Sequence, residues 1–254
     1  MTGLPRADEL GQVAAAILAG GLGTRLAQAV PDRPKALALV GDRAFLDHLL
    51  AWLEAQGVRR VVLCLGFRAD QIEAHIERSG PRRMVIATSV EREPLGTAGA
   101  LAHAAASLDS DPVMVINGDS FVDVDLRAFL RAYHAAGARA ALVAVEVPDA
   151  GRYGGVDVDA NARIVRFQEK AAASVGRPGL VSAGIYLFRG DVMRRIRELG
   201  RGSLERDILE REPPGTVLAF RTRGRFVDIG TPEGLATAGA MFAVSDRTAA
   251  ETSP

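Results

Sequence analysis

The chain has 254 residues, 48% of them hydrophobic, with 31 basic and 31 acidic side chains, enough for one substantial core. Balanced charge excludes a broad electrostatic attraction for nucleic acid or an anionic membrane, so any phosphate binding must be local. Cys64 is the only cysteine, which excludes an intrachain disulfide and fits a reducing compartment.

Residues 1–12 carry Asp8, Glu9 and Gln12 where a secretory signal needs an apolar block, and no apolar run reaches the length of a membrane span. The chain therefore reads as cytoplasmic. One domain is expected over residues 13–242, with a polar extension at 1–12 and a small-residue tail at 243–254 as frayed appendages.

The run from Val13 to Ala19 is short, uncharged and stopped by glycine, which suits a buried strand of a parallel sheet, although periodicity alone is equally compatible with a buried helix. Gly20, Gly21 and Gly23 then free the backbone, and Arg25 and Lys35 follow as cations. Such a loop lets a polyphosphate approach main-chain N–H groups; a tight strand-to-helix turn followed by solvated charges is the plainer reading. Two familiar phosphate loops are excluded by spacing. There is no G-x-x-x-x-G-K-[ST] order, and Gly21-x-Gly23 lacks a third glycine three residues later.

Next, FLDHLLAWLEAQG sets Phe45, Leu46, Leu49, Leu50 and Leu53 on one helical stripe and ends at Gly57, a suitable helix-terminating residue. A strand is expected at Arg60–Leu65, a helix at Asp70–Arg78, a strand at Met84–Val90, an alanine-rich helix at Thr97–Ser107 and a strand at 113–117. Alternating strands and helices imply right-handed parallel crossovers, hence an α/β fold whose central sheet is covered on both faces. Beyond Ala140 the pieces Ala140–Val147, Val156–Val158, Arg163–Glu169 and Val181–Phe188 predict antiparallel strands added to the same sheet. Ser203 is expected to cap a helix through Glu210, and Pro232 to open the last helix at its first position.

Ligands of open α/β sheets bind outside the carboxyl ends of the strands. The first strand ends in Leu18, Ala19, Gly20 and Gly21, the strand at 113–117 in Asn117-Gly118-Asp119, and Phe226-Val227 in Asp228-Ile229-Gly230. Asp119 and Asp228 are candidate magnesium ligands, since magnesium commonly takes one or two carboxylates and completes its shell with water and substrate phosphate. Each could instead be an ordinary loop-capping aspartate. Asp123 and Asp125 are assigned to solvent or to capping the helix that starts near Leu126. The histidines, His48, His75, His103 and His134, lie on helical segments away from strand ends.

The phrase GGLGTRL followed by PK resembles the N-terminal motif of the sugar-1-phosphate nucleotidyltransferases, and the likeness runs from about Ala14 to Met241. It implies a Rossmann-like mixed, mostly parallel sheet flanked by helices, the nucleotide-diphospho-sugar transferase fold. The nucleotide half would be about 13–139 and the sugar half about 140–242. There is no C-terminal hexapeptide periodicity, so the extra β-helix domain of some relatives is not expected. By the resemblance, Leu18, Ala19, Gly20, Gly21, Gly23, Thr24, Arg25, Asn117 and Gly118 hold the nucleotide, and Glu93-Pro94-Leu95-Gly96-Thr97-Ala98-Gly99 lies against the base. Tyr153-Gly154, Glu169-Lys170 and Ser182-Ala183-Gly184 look like the pieces that hold the sugar phosphate. Asp119 and Asp228 correspond to metal-binding aspartates, and Arg25, Lys35 and Lys170 to the reacting-phosphate cations. Gly96 and Gly99 could equally serve close packing at a helix start.

The resemblance implies that a sugar 1-phosphate attacks a nucleoside triphosphate with magnesium as cofactor, nucleic acid and membranes being no part of the reaction. VPDRPK, EREPLGTAGAL, INGDSFVDVDL, GRYGGV, SLERDILE and FVDIGTPE are most similar to the D-glycero-α-D-manno-heptose 1-phosphate guanylyltransferases, implying GTP and that heptose. Mannose, glucose or N-acetylmuramic acid 1-phosphate with GTP, dTTP or UTP remains an alternative, as does a silent sugar-nucleotide-binding homologue. One departure is Ala38-Leu39-Val40, where relatives have a proline before the valine. An apolar helical stripe serves a core as well as an interface, so the oligomeric state stays open.

Overall fold

The first apolar run becomes a strand that is buried on both sides, as a continuous rather than alternating hydrophobic pattern requires. This strand, β1 (Ala14–Leu18), follows a single helical turn, α1 (Glu9–Gln12). The computed structural model describes residues 9–21, 23, 33–153, 155–168 and 176–251, with the backbone alone at residue 152 and at 244–251. After a 3-10 turn at Lys35–Leu37 come the two-residue strands β2 (Leu39–Val40) and β3 (Arg43–Ala44), then α2 (Phe45–Gln56). Next are β4 (Arg60–Leu65), α3 (Ala69–Arg78), β5 (Val85–Val90) and α4 (Gly96–Ala104). The central part holds β6 (Val113–Asn117), β7 (Ser120–Val122), α5 (Leu126–Ala136) and β8 (Ala140–Val147). The remainder is β9 (Val156–Val158), β10 (Ile164–Phe167), β11 (Gly179–Phe188), α6 (Gly190–Leu199), β12 (Val217–Thr222), β13 (Phe226–Asp228) and α7 (Pro232–Glu251).

Among the described residues the main sheet has seven strands in the order β12-β8-β11-β6-β1-β4-β5. Its nucleus is the parallel set β6, β1, β4 and β5. β11 alone runs antiparallel to its neighbours, β6 and β8. The fold is thus the mixed, mostly parallel α/β sheet expected. The run of antiparallel strands expected after residue 140 is realised only in part: β9 and β10 pair in a separate two-stranded sheet, and β12 pairs with β8 in parallel. Burial patterning reports which faces of a strand are covered, not which neighbour it takes, so these pairings were invisible to it.

Successive residues of β1 feed two cores, with Ala15 and Ile17 in one and Ala14 and Ala16 in the other. The α2 stripe of Phe45, Leu46, Leu49, Leu50 and Leu53 fills the first core, and Gly57 ends the helix with φ 104°, a left-handed conformation that costs glycine little. Asp125 caps α5 by accepting from the N–H groups of Arg127 and Ala128, as expected.

Three local expectations change. Leu10 is 1% exposed and belongs to the first core, although its polar neighbours set residues 1–12 apart in the sequence. The final helix begins at Pro232 as expected but continues to Glu251, through the stretch read as tail, because its alanines and polar residues are compatible with helix. Ser203 does cap the following turn, its Oγ accepting from Arg206 N, but that turn is a π-helix at Leu204–Ile208 followed by a 3-10 turn at Leu209–Arg211. Among the described residues, no helix is long and apolar enough to cross a membrane.

Candidate active site

The carboxyl ends of β1, β4, β5 and β6 lie side by side because these strands are parallel and adjacent. A cavity of about 680 Å³ opens there, a size suited to a nucleotide. Close backbone approach makes it possible: a methyl on Gly20 would sit 3.0 Å from Gly66 N, and one on Gly118 would sit 2.8 Å from Leu18 O. Leu18, Ala19, Gly20, Gly21 and Gly23 line one side of the cavity, Asn117 and Gly118 another, and Glu93, Pro94, Gly96 and Thr97 a third. Thr24 and Arg25 lie outside the described residues.

Two acidic side chains from distant parts of the chain meet beside this cavity, whose lining includes Lys35, Asp119 and Gly230. Asp119 sits in the turn between β6 and β7, and Asp228 ends β13, which pairs with β7 so that Asp228 lies opposite Ser120. Ile229 N donates to Asp119 O at 2.9 Å, locking the two turns together. Lys35, delivered by the 3-10 turn, donates through Nζ to Asp119 Oδ2 at 2.7 Å and stands 3.9 Å from Asp228 Oδ1. Both carboxylates therefore face one small volume already holding a positive charge. That donor set fits a hard divalent cation in type, because magnesium asks for few protein oxygens when phosphates complete its shell. Among the described residues no group of three or more His, Cys, Asp or Glu side chains could hold a metal without such help.

The residues read as sugar-side pieces adjoin the same point. β11 carries a bulge, its register on β8 shifting between Ser182 and Tyr186, and Gly184 adopts φ 78° within it. A methyl there would lie 2.5 Å from Ser120 Oγ and 2.8 Å from Asn117 Nδ2. Ser182, Ala183 and Gly184 are thus brought against the β6–β7 turn that carries Asp119, with Ala183 O accepting from Ser120 Oγ at 3.4 Å. Tyr153 sets its ring edge-on to Phe226, two residues before Asp228, with centroids 5.5 Å apart. Gly154, Glu169 and Lys170 lie outside the described residues.

Gly66, Phe67 and Glu91 also line the cavity, and sequence reasoning did not single them out. They follow the ends of β4 and β5, so the strand-end rule, applied to every parallel strand, would have found them. Glu91 lies over the Gly20–Gly66 contact and accepts from Leu95 N at 3.3 Å. Burial is the main influence on its carboxyl and pushes the pKa up from the ordinary range, against the opposing pull of the Leu95 amide, His103 and Arg201. Cys64 lines the floor as a core residue whose thiol is pushed up to about 12 by burial, which leaves it inert as a nucleophile. The packing role of Gly96 and Gly99 is plain: a methyl on Gly96 would collide with Gly202 O, and one on Gly99 would lie 2.7 Å from Gly200 O.

A glycine-lined cavity at parallel strand ends, with two carboxylates and a lysine beside it, has the donor and charge types that phosphoryl groups require, and the chain belongs to the nucleotidyl transferase family, matched over residues 14–243. Among individual relatives it is 32% identical to the D-glycero-alpha-D-manno-heptose 1-phosphate guanylyltransferase of Campylobacter jejuni, over 86% of this chain and 95% of that one. It is also 32% identical to the enzyme of the same name from Aneurinibacillus thermoaerophilus, over 86% and 94% of the two chains. A mannose-1-phosphate guanylyltransferase catalytic subunit beta from Xenopus tropicalis is 33% identical, 65% of its length being covered. The crystal structure of HddC from Yersinia pseudotuberculosis complexed with GMP-PN superimposes with a TM-score of 0.81 at 32% identity, covering 91% of this chain and 99% of that one.

Proposed function

We propose that the protein transfers a guanylyl group from GTP to a sugar 1-phosphate, D-glycero-α-D-manno-heptose 1-phosphate, releasing pyrophosphate. A phosphate oxygen of the sugar 1-phosphate attacks the α-phosphorus, and the bond from that phosphorus to the α–β bridging oxygen breaks. The nucleophile is already anionic, so no general base is needed. What remains is to bring two anions into line and neutralise the leaving group.

The observation carrying this reading is the convergence of Asp119 and Asp228 on Lys35, a residue that lines the cavity together with Asp119. Asp119 and Asp228 would hold magnesium, which supplies charge neutralisation to the reacting phosphates when bound. Lys35 meets the same phosphates, aided by Arg25, while Lys170 and Ser182–Gly184 orient the sugar phosphate. Guanine is supported by Glu91, since its N1–H and exocyclic amine are adjacent donors that a carboxylate accepts. The heptose rests on the relatives' names.

A pyrophosphate-release screen of the four common triphosphates against a panel of sugar 1-phosphates, with magnesium, tests the assignment. Turnover confined to GTP with the heptose phosphate is the expected result. Turnover with another pair would reassign the substrates, and no turnover alongside tight binding of a nucleotide sugar would indicate a silent homologue.

A further inference from the structure

From the end of α6 into the first residues of the π-helix, residues 200–205 cross from the sugar half of the chain to the loop expected to contact the base. Gly202 N donates to Leu95 O and Gly202 O accepts from Ala98 N, each at 2.9 Å. Leu204 N donates to Thr97 Oγ1 at 2.8 Å, and Arg201 Nη2 donates to Pro94 O at 2.9 Å while standing 3.3 Å from Glu93 Oε2. The fit is tight at backbone level, because Gly202 at φ 150° faces Gly96 at φ 77° with no room for a side chain on the latter. Every residue from 93 to 98 except Gly96 is thereby touched through a hydrogen bond or ion pair from this segment or its immediate neighbours.

The same segment has a second attachment. Glu205, the second residue of the π-helix, accepts from Tyr186 OH at 3.1 Å, Tyr186 OH accepts from Ser182 Oγ at 3.1 Å, and Ser182 Oγ accepts from Gly184 N at 3.3 Å. This relay ends in the β11 bulge beside Asp119. Burial raises the Tyr186 phenol above its ordinary pKa, with Glu205 adding to the rise, so the hydroxyl remains a donor to Glu205 at any working pH. The start of the π-helix is fixed by a reciprocal cap: Ser203 N donates to Asp207 Oδ2 at 2.8 Å, and Ser203 Oγ accepts from Arg206 N at 3.3 Å. A single π turn at such a place is the kind of irregularity that marks functional sites.

We propose that Arg201, Gly202 and Glu205 form a strap that holds the base-side loop 93–98 and the bulge 182–184 at one fixed separation, with Arg201, Glu205 and Tyr186 as positioning residues for the transfer reaction. The inference rests on the function proposed above, since it takes these two regions to be the nucleotide and sugar-phosphate subsites. Its physical content is that breaking either anchor loosens both subsites.

Tyr186→Phe removes the relay hydroxyl, Glu205→Ala removes its acceptor, and Glu205→Gln keeps an acceptor oxygen. GTP affinity is measured by calorimetry without sugar phosphate, and KM and kcat for each substrate are measured separately. Tyr186→Phe and Glu205→Ala should raise KM for the sugar phosphate about fivefold and also raise the GTP Kd about threefold, although neither side chain lies in the base-side loop. Glu205→Gln should restore both. Arg201→Ala should raise the sugar-phosphate KM about threefold; its side chain is 59% exposed, so loss of fold does not confuse the result. Combining Arg201→Ala with Tyr186→Phe should cost less than the product of the single effects. A GTP Kd unchanged in Tyr186→Phe, with multiplicative effects in the double variant, would overturn the strap. The two failures are distinguishable: wild-type protein that binds no GTP overturns the proposed function before any variant is compared, whereas wild-type GTP binding that Tyr186→Phe leaves unshifted overturns the strap alone.

Discussion

Lys35 donates to Asp119 across 2.7 Å, placing an ammonium where the two carboxylates of the site converge. The side chain of Lys35 is only 14% exposed, so its charge is little screened. In the proposed reaction this lysine neutralises phosphate; in the protein alone it neutralises aspartate. Lys35→Met should therefore lower kcat by about a hundredfold or more, while calorimetry should show the substrate-free variant binding magnesium more tightly than wild type. Equal or weaker magnesium binding would mean that the ammonium and the divalent cation do not share one space.

Asp119→Asn and Asp228→Asn preserve shape and remove one charge each. Turnover should fall by about a hundredfold or more in either variant, with GTP affinity changed far less and the circular-dichroism melt close to wild type. Magnesium titrations check the assignment, and an unaltered metal dependence in both variants refutes it.

Glu91 bears on base selection. Glu91→Gln replaces a pure acceptor by a group with one acceptor and one donor face, which opposes the donor edge of guanine. kcat/KM with GTP should drop by about tenfold or more while any weak activity with ATP is unchanged. A GTP preference that survives in Glu91→Gln would show that the base is read by other groups.

Asp191 gives the fold a pH dependence of definite sign. Arg189 donates to its two oxygens at 2.7 Å each, and Arg139 adds a bond at 3.1 Å. Hydrogen bonding from Arg189 is the largest cause holding the carboxyl below its usual 3.8, opposed by partial burial and reinforced by the charge of Arg139. A lowered folded pKa means that the unfolded chain binds the proton more readily, so the stabilisation is complete above the usual carboxyl range, starts to decline as pH falls below that range and is fully lost only when pH passes the lowered folded value. Thermal melts should place Asp191→Asn below wild type at about pH 7, the gap narrowing below about pH 4. A gap that stays constant with pH would contradict the linkage.

Much of this architecture was legible because burial dictates pattern. The α2 stripe and the strand at 113–117 followed from their patterns, the β1 run was read as a strand from its shortness and its glycine stop although its pattern also suited a buried helix, and the strand-end rule put Asp119 and Asp228 on the same short list although they are far apart in the chain. Other features were hidden for definite reasons. β7 is only Ser120–Val122 and pairs with a strand more than a hundred residues away, so no local period announces it. Glu91 opens the phrase EREPLGTAGAL, but the residues of that phrase assigned to the base start at Glu93, and nothing local showed that Glu91 also follows the end of a parallel strand. The π turn at Leu204–Ile208 shares its capping serine and apolar spacing with an ordinary helix, and differs only in a backbone geometry that the neighbouring segment 95–98 helps to impose.

β8 and β11 remain paired past the point where β6 stops: Ser182, Val181, Leu180 and Gly179 lie opposite Ala144, Val145, Glu146 and Val147, beyond the last contact of β11 with β6 at Ile116. At about 3.3 Å per residue this projects roughly 10–13 Å from the sheet. Because it is a ladder of paired backbone, that projection is a bulkhead of fixed height beside Asp119. Lengthening a surface loop would leave its position unchanged, so moving Ser182 relative to Asp119 requires a change in the backbone pairing of those two strands.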